Sequence, residues 1–229
     1  MKPIIYQLLP RLFSNANANL VENGSIQENG VGKFEGINDA ALSSIKRLGA
    51  THVWFTGIIR HATQTDYSTF GLDAYDSKVV KGKAGSPYAI TDYYDVVPDL
   101  AVNVPNRMDE FCALVRRTHS HDLKALIDFV PNHVGRQYHS VVKPDGIRDL
   151  GEDDRTDYFF EKDNNFYYLQ GQSLTLPYGN GGYCESPAKV TGNDCFSSTP
   201  SVNDWYETIK LNYGVDYSNW TRHFDPIPS

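Results

Sequence analysis

Two textures alternate along the first half of the chain: short unbroken apolar runs, and longer stretches whose apolar residues recur at helical spacing. Residues 4–9 (IIYQLL) form a run of the kind a parallel strand covered on both faces requires. Residues 38–48 place Ala41, Leu42, Ile45 and Leu48 on one helical face, with Asp39 in the first turn and Gly49 as the stop. Residues 52–56 (HVWFT) are rich in residues that suit a pleated surface. A second helix is predicted over 108–120, with Met108, Phe111, Leu114 and Val115 facing inward, and a third strand over 124–129 (KALIDF). Strand, helix, strand, helix, strand predicts right-handed crossovers and a parallel sheet.

The intervening segments read differently. Residues 14–32 are Asn- and Gly-rich, with two Glu-Asn-Gly triplets that read as turns. Residues 58–100 are too many for a plain connection, so they should be functional or carry small elements of their own. From Val134 to about residue 215 the chain is dense in Gly, Asn, Asp, Tyr and Pro, with no sustained helical period. It reads as an excursion from the sheet or a small irregular subdomain. Three parallel strands alone leave open edges and bare apolar faces, so the fold reads as unfinished at Ser229.

Composition narrows the function classes. The 229 residues suffice for one sizeable core. With 21 Lys and Arg against 28 Asp and Glu, and no basic block, the footprint of a nucleic-acid binder is missing. No apolar run has the length of a membrane span. The opening residues are too short and strand-like for a signal-peptide core, which predicts a cytoplasmic protein. There, Cys112, Cys184 and Cys195 read most simply as thiols, a Cys184–Cys195 bridge being the alternative. The 15 Tyr fit either half-buried strand faces or sugar-binding surfaces.

The most informative hexapeptide is Asp128-Phe129-Val130-Pro131-Asn132-His133, which brings an acid, an amide and an imidazole to the end of a predicted parallel strand. By itself it is either a strand end capped by a polar turn or part of a site, since α/β barrels carry their active sites at the C-terminal strand ends. The pattern Asp-x-x-x-Asn-His after an apolar strand resembles the first conserved region of the α-amylase superfamily, glycoside hydrolase family 13. Residues 6–13 (YQLLPRLF) are similar to that family's opening strand, 36–56 to its first helix and second strand, and 85–94 (GSPYAITDYY) to its aromatic loop. The four matches lie in order and cover residues 4–135.

The resemblance implies the N-terminal half of a (β/α)8 TIM barrel with an irregular subdomain inserted after the third strand. Residues 1–133 would be the first three units, 134–215 the inserted subdomain, and 216–229 the return toward the barrel. His133 would hydrogen-bond a sugar hydroxyl at the cleavage subsite and Tyr88 would be the aromatic platform beneath that sugar. Asp128 would orient an arginine from the fourth strand, and Asn132 would ligate the structural calcium of many members. Residues 209–212 (IKLN) are similar to a later conserved region and place Asn212 as a second calcium ligand, although Lys210 stands where an acid is usual.

The implied activity is retaining hydrolysis of α-glucosidic bonds in starch-like glucans or maltooligosaccharides. A glucanotransferase of the same family and a non-catalytic glucan-binding protein are the alternatives. The chain lacks the family's Arg-x-Asp nucleophile strand, and Arg222-His223-Phe224-Asp225 has the wrong spacing. The nucleophile and general acid are therefore expected beyond Ser229, and the chain alone is expected to need the C-terminal half of the barrel and to be inactive. Should it turn over glucan unaided, Asp128, Asp92 and Glu185 would be the carboxylates to test first.

Overall fold

The computed structural model describes residues 2–223. In chain order the elements are β1 (Ile5–Leu8), α1 (Pro10–Phe13), α2 (Ile26–Asn29), α3 (Asp39–Arg47), β2 (His52–Phe55), β3 (Ile59–His61), β4 (Ile90–Val96), α4 (Arg107–Ser120) and β5 (Lys124–Ile127). Then come β6 (His133–Gly135), β7 (Tyr168–Leu169), β8 (Ala188–Lys189), β9 (Thr208–Lys210), β10 (Val215–Asp216) and β11 (Thr221–Arg222). Residues 224–229, part of the expected return toward the barrel, lie outside the described residues.

β1, β2 and β5 form a parallel sheet in that order, running from Ile5↔His52↔Lys124 to Leu8↔Phe55↔Ile127. The two-residue period sends Leu8, Val53 and Phe55 into a core shared with Leu42 and Ile45 of α3 and Leu114 of α4. The opposite face, holding Ile5, Gln7, Trp54 and Leu126, is less covered: Ile5 is 50% and Leu126 37% exposed. Among the described residues β5 pairs only with β2, so its other edge is open. Three parallel strands joined through α3 and α4 are part of an α/β barrel or sheet, not a closed one.

Both crossover helices follow from local sequence, with two corrections. The Asn38 side chain caps α3 by accepting from Ala41 N at 3.1 Å. Gly49 ends the turn at φ 87°, where a Cβ would be strained. Leu48, expected to face inward, is 71% exposed because it is already the C-cap residue, where the chain leaves the helical path. Met108 is likewise exposed: the buried stripe of α4 is Phe111, Leu114 and Thr118, while Arg107 turns inward to Asp95 at 2.7 Å.

Residues 58–100 contain an antiparallel pair, β3 with β4. Arg60 is buried there, 3.9 Å from Asp92 and 3.7 Å from Asp95. Residues 14–32 hold one short helix, α2, whose Ser25 and Glu28 form a reciprocal capping box. The second Glu-Asn-Gly triplet is the end of that helix rather than a free turn.

Beyond β5 the described residues include no helix. β6 pairs antiparallel with β9 and β7 with β8, and Thr191↔Ile209 and Phe166↔Leu211 add single bridges. Aromatic rings dominate the packing: Phe159, Phe160, Tyr167, Tyr206 and Tyr217 join Leu169, Leu174, Leu176 and Val190. Cys112, Cys184 and Cys195 are all free thiols, so the Cys184–Cys195 bridge is not formed. No described helix is long and apolar enough to cross a membrane.

Candidate carbohydrate-binding site

Asp128 lies one residue past the C-terminal end of β5, beside the end of β2. Its Oδ1 accepts the indole N–H of Trp54 at 2.7 Å and its Oδ2 accepts Gly57 N at 3.2 Å. Gly57 is required twice. It sits at φ 75°, and a Cβ would stand 2.9 Å from Cβ of Pro87, so the turn after β2 closes directly against the loop that carries Tyr88. Burial first, and then the Asp128 carboxylate, push the Tyr88 hydroxyl up. Trp54 and Gly57 hold the Asp128 carboxylate; the arginine that the resemblance implies for it would come from a fourth strand.

His133 starts β6 and is buried at 5% exposure. Its Nε2 faces the carbonyl of Tyr88 at 3.1 Å, and its Nδ1 faces Nδ2 of Asn132 at 3.0 Å. The same Nδ2 lies 3.1 Å from the carbonyl of Gly192. Carbonyl oxygens only accept, which settles the network. The Asn132 atom is the amide nitrogen, and His133 carries its proton on Nε2 with a lone pair on Nδ1. His133 is a neutral imidazole, and burial, with a smaller contribution from the Lys210 charge, pushes it below its ordinary value. The Tyr88 loop thus meets the Asp128 turn through Gly57 and Pro87 and the His133 ring through the Tyr88 carbonyl, and both ring nitrogens of His133 are engaged with protein. Direct contact with a sugar requires its Nε2–H to exchange the Tyr88 carbonyl for a hydroxyl.

Asn132 and Asn212 are engaged differently. The bonds of Asn132 to Gly192 and His133 use its Nδ2 and not its Oδ1. Asn212 donates to the carbonyls of Glu161 and Asn164 at 2.9 and 3.0 Å, and its oxygen accepts Gly214 N at 2.8 Å. Lys210, opposite His133 across the β6–β9 pair, holds Asp194 at 2.6 Å. The Lys210 ammonium and the backbone commitments of Asn212 work against a cation at this corner, while Asn132 keeps an amide oxygen of the kind calcium takes. No described group of three His, Cys, Asp or Glu side chains is arranged to hold a metal.

Two hollows adjoin the strand ends. A cavity of about 270 Å3 lies against Leu9, Gly57, Pro87 and Val97 and is closed by His61 and Asp99. Burial pushes His61 down to about 4, so it is neutral, with Nδ1–H donated to Ile59 O at 3.1 Å. Asp99 is held by Arg11 and by the Tyr67 hydroxyl. A larger hollow of about 570 Å3 borders the Asn-rich segment. The amides of Asn15, Asn17, Asn19 and Asn29 there bond backbone groups of their own loop. The carboxylates Asp92 and Glu185 serve structure: Asp92 accepts Tyr94 N and Val141 N, and Glu185 accepts Arg136, Lys189 N and the Tyr183 hydroxyl.

Sequence reasoning missed four members of this site. Trp54 had a usable signal, since the β2–β5 register makes it the same-face neighbour of Leu126, two residues before Asp128. Gly57, directly after an apolar strand, is a punctuation mark that points to a tight turn. Gly192 and Trp205, which close on His133, lie in irregular chain where no period marks them.

The α-amylase catalytic-domain family matches residues 7–179. The trehalose-6-phosphate hydrolase of Bacillus subtilis (strain 168) is 28% identical over 137 residues, 60% of this chain and 18% of that protein. Maltase 1 of Drosophila virilis is 24% identical over 151 residues, 66% of this chain and 18% of that protein. Among solved structures, an α-amylase from Lactobacillus plantarum is 28% identical, with a TM-score of 0.40, covering 61% of this chain and 25% of that one. An α-amylase from Geobacillus thermoleovorans complexed with acarbose is 26% identical, with a TM-score of 0.42, covering 72% and 28%. The chain spans about a fifth of the length of the curated relatives it matches. By the family match across most of its length, the chain belongs to the α-amylase catalytic-domain family.

Proposed function

We propose that this chain supplies the substrate-binding wall of a retaining glycoside hydrolase acting on α-glucosidic bonds of starch-like glucans or maltooligosaccharides. The observation that carries this reading is that the Tyr88 loop meets the Asp128 turn, through Gly57, and the His133 ring, through the Tyr88 carbonyl, at the C-terminal ends of the parallel strands. The flat, partly exposed Tyr88 ring suits the apolar C–H face of a pyranose. Asp128 offers acceptor oxygens, and the Nε2–H of His133 is a donor whose exchange from carbonyl to hydroxyl conserves one hydrogen bond. Residues 1–133 form the first three units of an eight-stranded barrel and 134–215 an inserted subdomain. The open edge of β5 and the half-covered sheet face support that reading, because a fourth strand and the rest of a barrel interior would cover them.

The nucleophile and general acid belong to residues outside this chain, since the reaction needs two carboxylates flanking the bond. The test is release of reducing sugar from soluble starch and maltoheptaose by the full-length protein and by residues 1–229 alone. Turnover by the full-length protein only is expected. Turnover by the 229-residue chain would place the reacting carboxylates within it, and turnover by neither would leave a glucan-binding protein.

A further inference from the structure

His133 starts a three-residue strand, yet its side chain is fixed by chain more than fifty residues away. A Cβ on Gly192 would stand 2.4 Å from Oγ1 of Thr208, 2.8 Å from Cβ and 2.9 Å from Cγ of His133. The backbone of Gly192 is therefore packed against the histidine at a distance only glycine allows. Its φ is not in the left-handed region, so space is the reason for glycine here. The carbonyl of Gly192 also orients the Asn132 amide, which presents Nδ2–H to Nδ1 of His133. Trp205 meets the imidazole with ring centroids 4.4 Å apart and planes at 60°, an edge-on contact.

Trp205 is itself fixed at both ends of its backbone. Its N–H donates to Oδ1 of Asn193 at 3.2 Å, and its carbonyl accepts from N and Oγ1 of Thr208 at 3.1 and 2.9 Å. Asn193 is held by Thr191 at 2.6 Å and by Asp204 at 3.1 Å. The small loop 191–205 is thus a closed frame with Gly192 and Trp205 at its two ends, and the imidazole contacts both.

We propose that Gly192 and Trp205 are positioning residues for His133, holding its ring in one plane and one tautomer so that Nε2–H points along the Tyr88 loop. The consequence for turnover rests on the reading of His133 as a sugar-contacting residue; the consequence for the ring does not. Without Trp205 the imidazole loses the ring edge that fixes its plane and keeps only its two hydrogen bonds. With a methyl at position 192 the His133 ring and Thr208 must give way, and a misplacement of about 1 Å can reduce catalysis about a hundredfold.

The experiment uses the full-length protein, with maltoheptaose kinetics and a long-range 1H–15N spectrum of histidine-labelled protein, in which H133Q assigns the His133 ring. For W205A we expect a loss of about tenfold or more in kcat with KM changed less than about threefold, together with a shifted or mixed tautomer signal. G192A should do the same, and W205F, which keeps an aromatic edge, should restore both readouts. If G192A does not fold, W205A and W205F decide. A wild-type Nε2–H signal in folded W205A overturns the proposal, whatever the kinetics. A shifted ring in W205A, with unchanged kinetics in both W205A and H133A, leaves the positioning intact and refutes the sugar-contacting role.

Discussion

The sheet region up to β5 and the irregular chain from β6 onward are stabilised in different ways. In the first, strands and helices satisfy their own backbones, and stability comes from aliphatic side chains such as Leu42, Val53 and Leu114, all fully buried. In the second, short strands satisfy few backbone groups, and polar side chains do much of that work. The Asp154 carboxylate accepts the N–H groups of Asn165 and Phe166 and the Tyr168 hydroxyl at 2.7 to 3.0 Å. Asn180 holds Leu176 N, Leu174 O and Tyr183 O. A chain without periodicity can be well determined when Asn and Asp replace the ladder.

The largest effect that sharpens this contrast is a cavity in the first region. Leu114→Ala should destabilise by about 2–5 kcal/mol, read as a lowered urea midpoint with unchanged slope. A loss under about 1 kcal/mol would mean that the sheet core is not the principal source of stability.

The two regions should also respond to pH in opposite senses. His61, next to the sheet, titrates near 4 when folded, below its ordinary 6.5. Its contribution is present above pH 6.5 and is lost as pH falls through about 4. Glu207, buried in the second region with Oε1 unpartnered, is pushed up to about 7 by burial. Its contribution is present below about pH 4.5 and is lost as pH rises through about 7. Each amounts to about 3 kcal/mol, so between pH 7 and pH 4.5 the two largely offset. Relative to wild type, H61Q should gain stability on acidification over that range and E207Q should lose it. Parallel slopes for all three proteins would contradict the assignment.

A smaller effect tests the polar framework. Asp154→Ala leaves three donors without their acceptor and should lower stability by about 2 kcal/mol. Asn29→Ala, at the edge of the Asn-rich segment where the displaced groups can reach water, should lower it by about 1 kcal/mol or less. Equal losses at the two positions would show that burial does not set the value of these bonds.

The same contrast explains what was legible in the sequence. β1, β2, β5, α3 and α4 fall within two residues of expectation because their periods are strong. β3 and β4 were hidden because Arg60, Asp92 and Asp95 are buried as a charged group, so strands that face a core read as polar. Asp128, Tyr88 and His133 stand out only through the family pattern, and the structure brings the Tyr88 loop against the Asp128 turn and the His133 ring. The engagement of both His133 nitrogens was not foreseeable, since it depends on Gly192 and on the Tyr88 carbonyl. Trp205 carried no local signal at all. Asn132 and Asn212 match the pattern in type; the Asn212 amide is taken up by backbone groups, the Asn132 nitrogen by Gly192 and His133, and Lys210 brings positive charge nearby, none of which a local sequence pattern shows.

The central claim is that the ends of these strands hold a sugar. The most direct measurement is a crystal structure of the full-length protein with a bound maltooligosaccharide. A pyranose ring is expected over Tyr88, with a hydroxyl within hydrogen-bonding distance of Nε2 of His133 and the Asp128 carboxylate still held by Trp54. An ordered sugar elsewhere on the protein, with Tyr88 uncovered and His133 still bonded to the Tyr88 carbonyl, would contradict it.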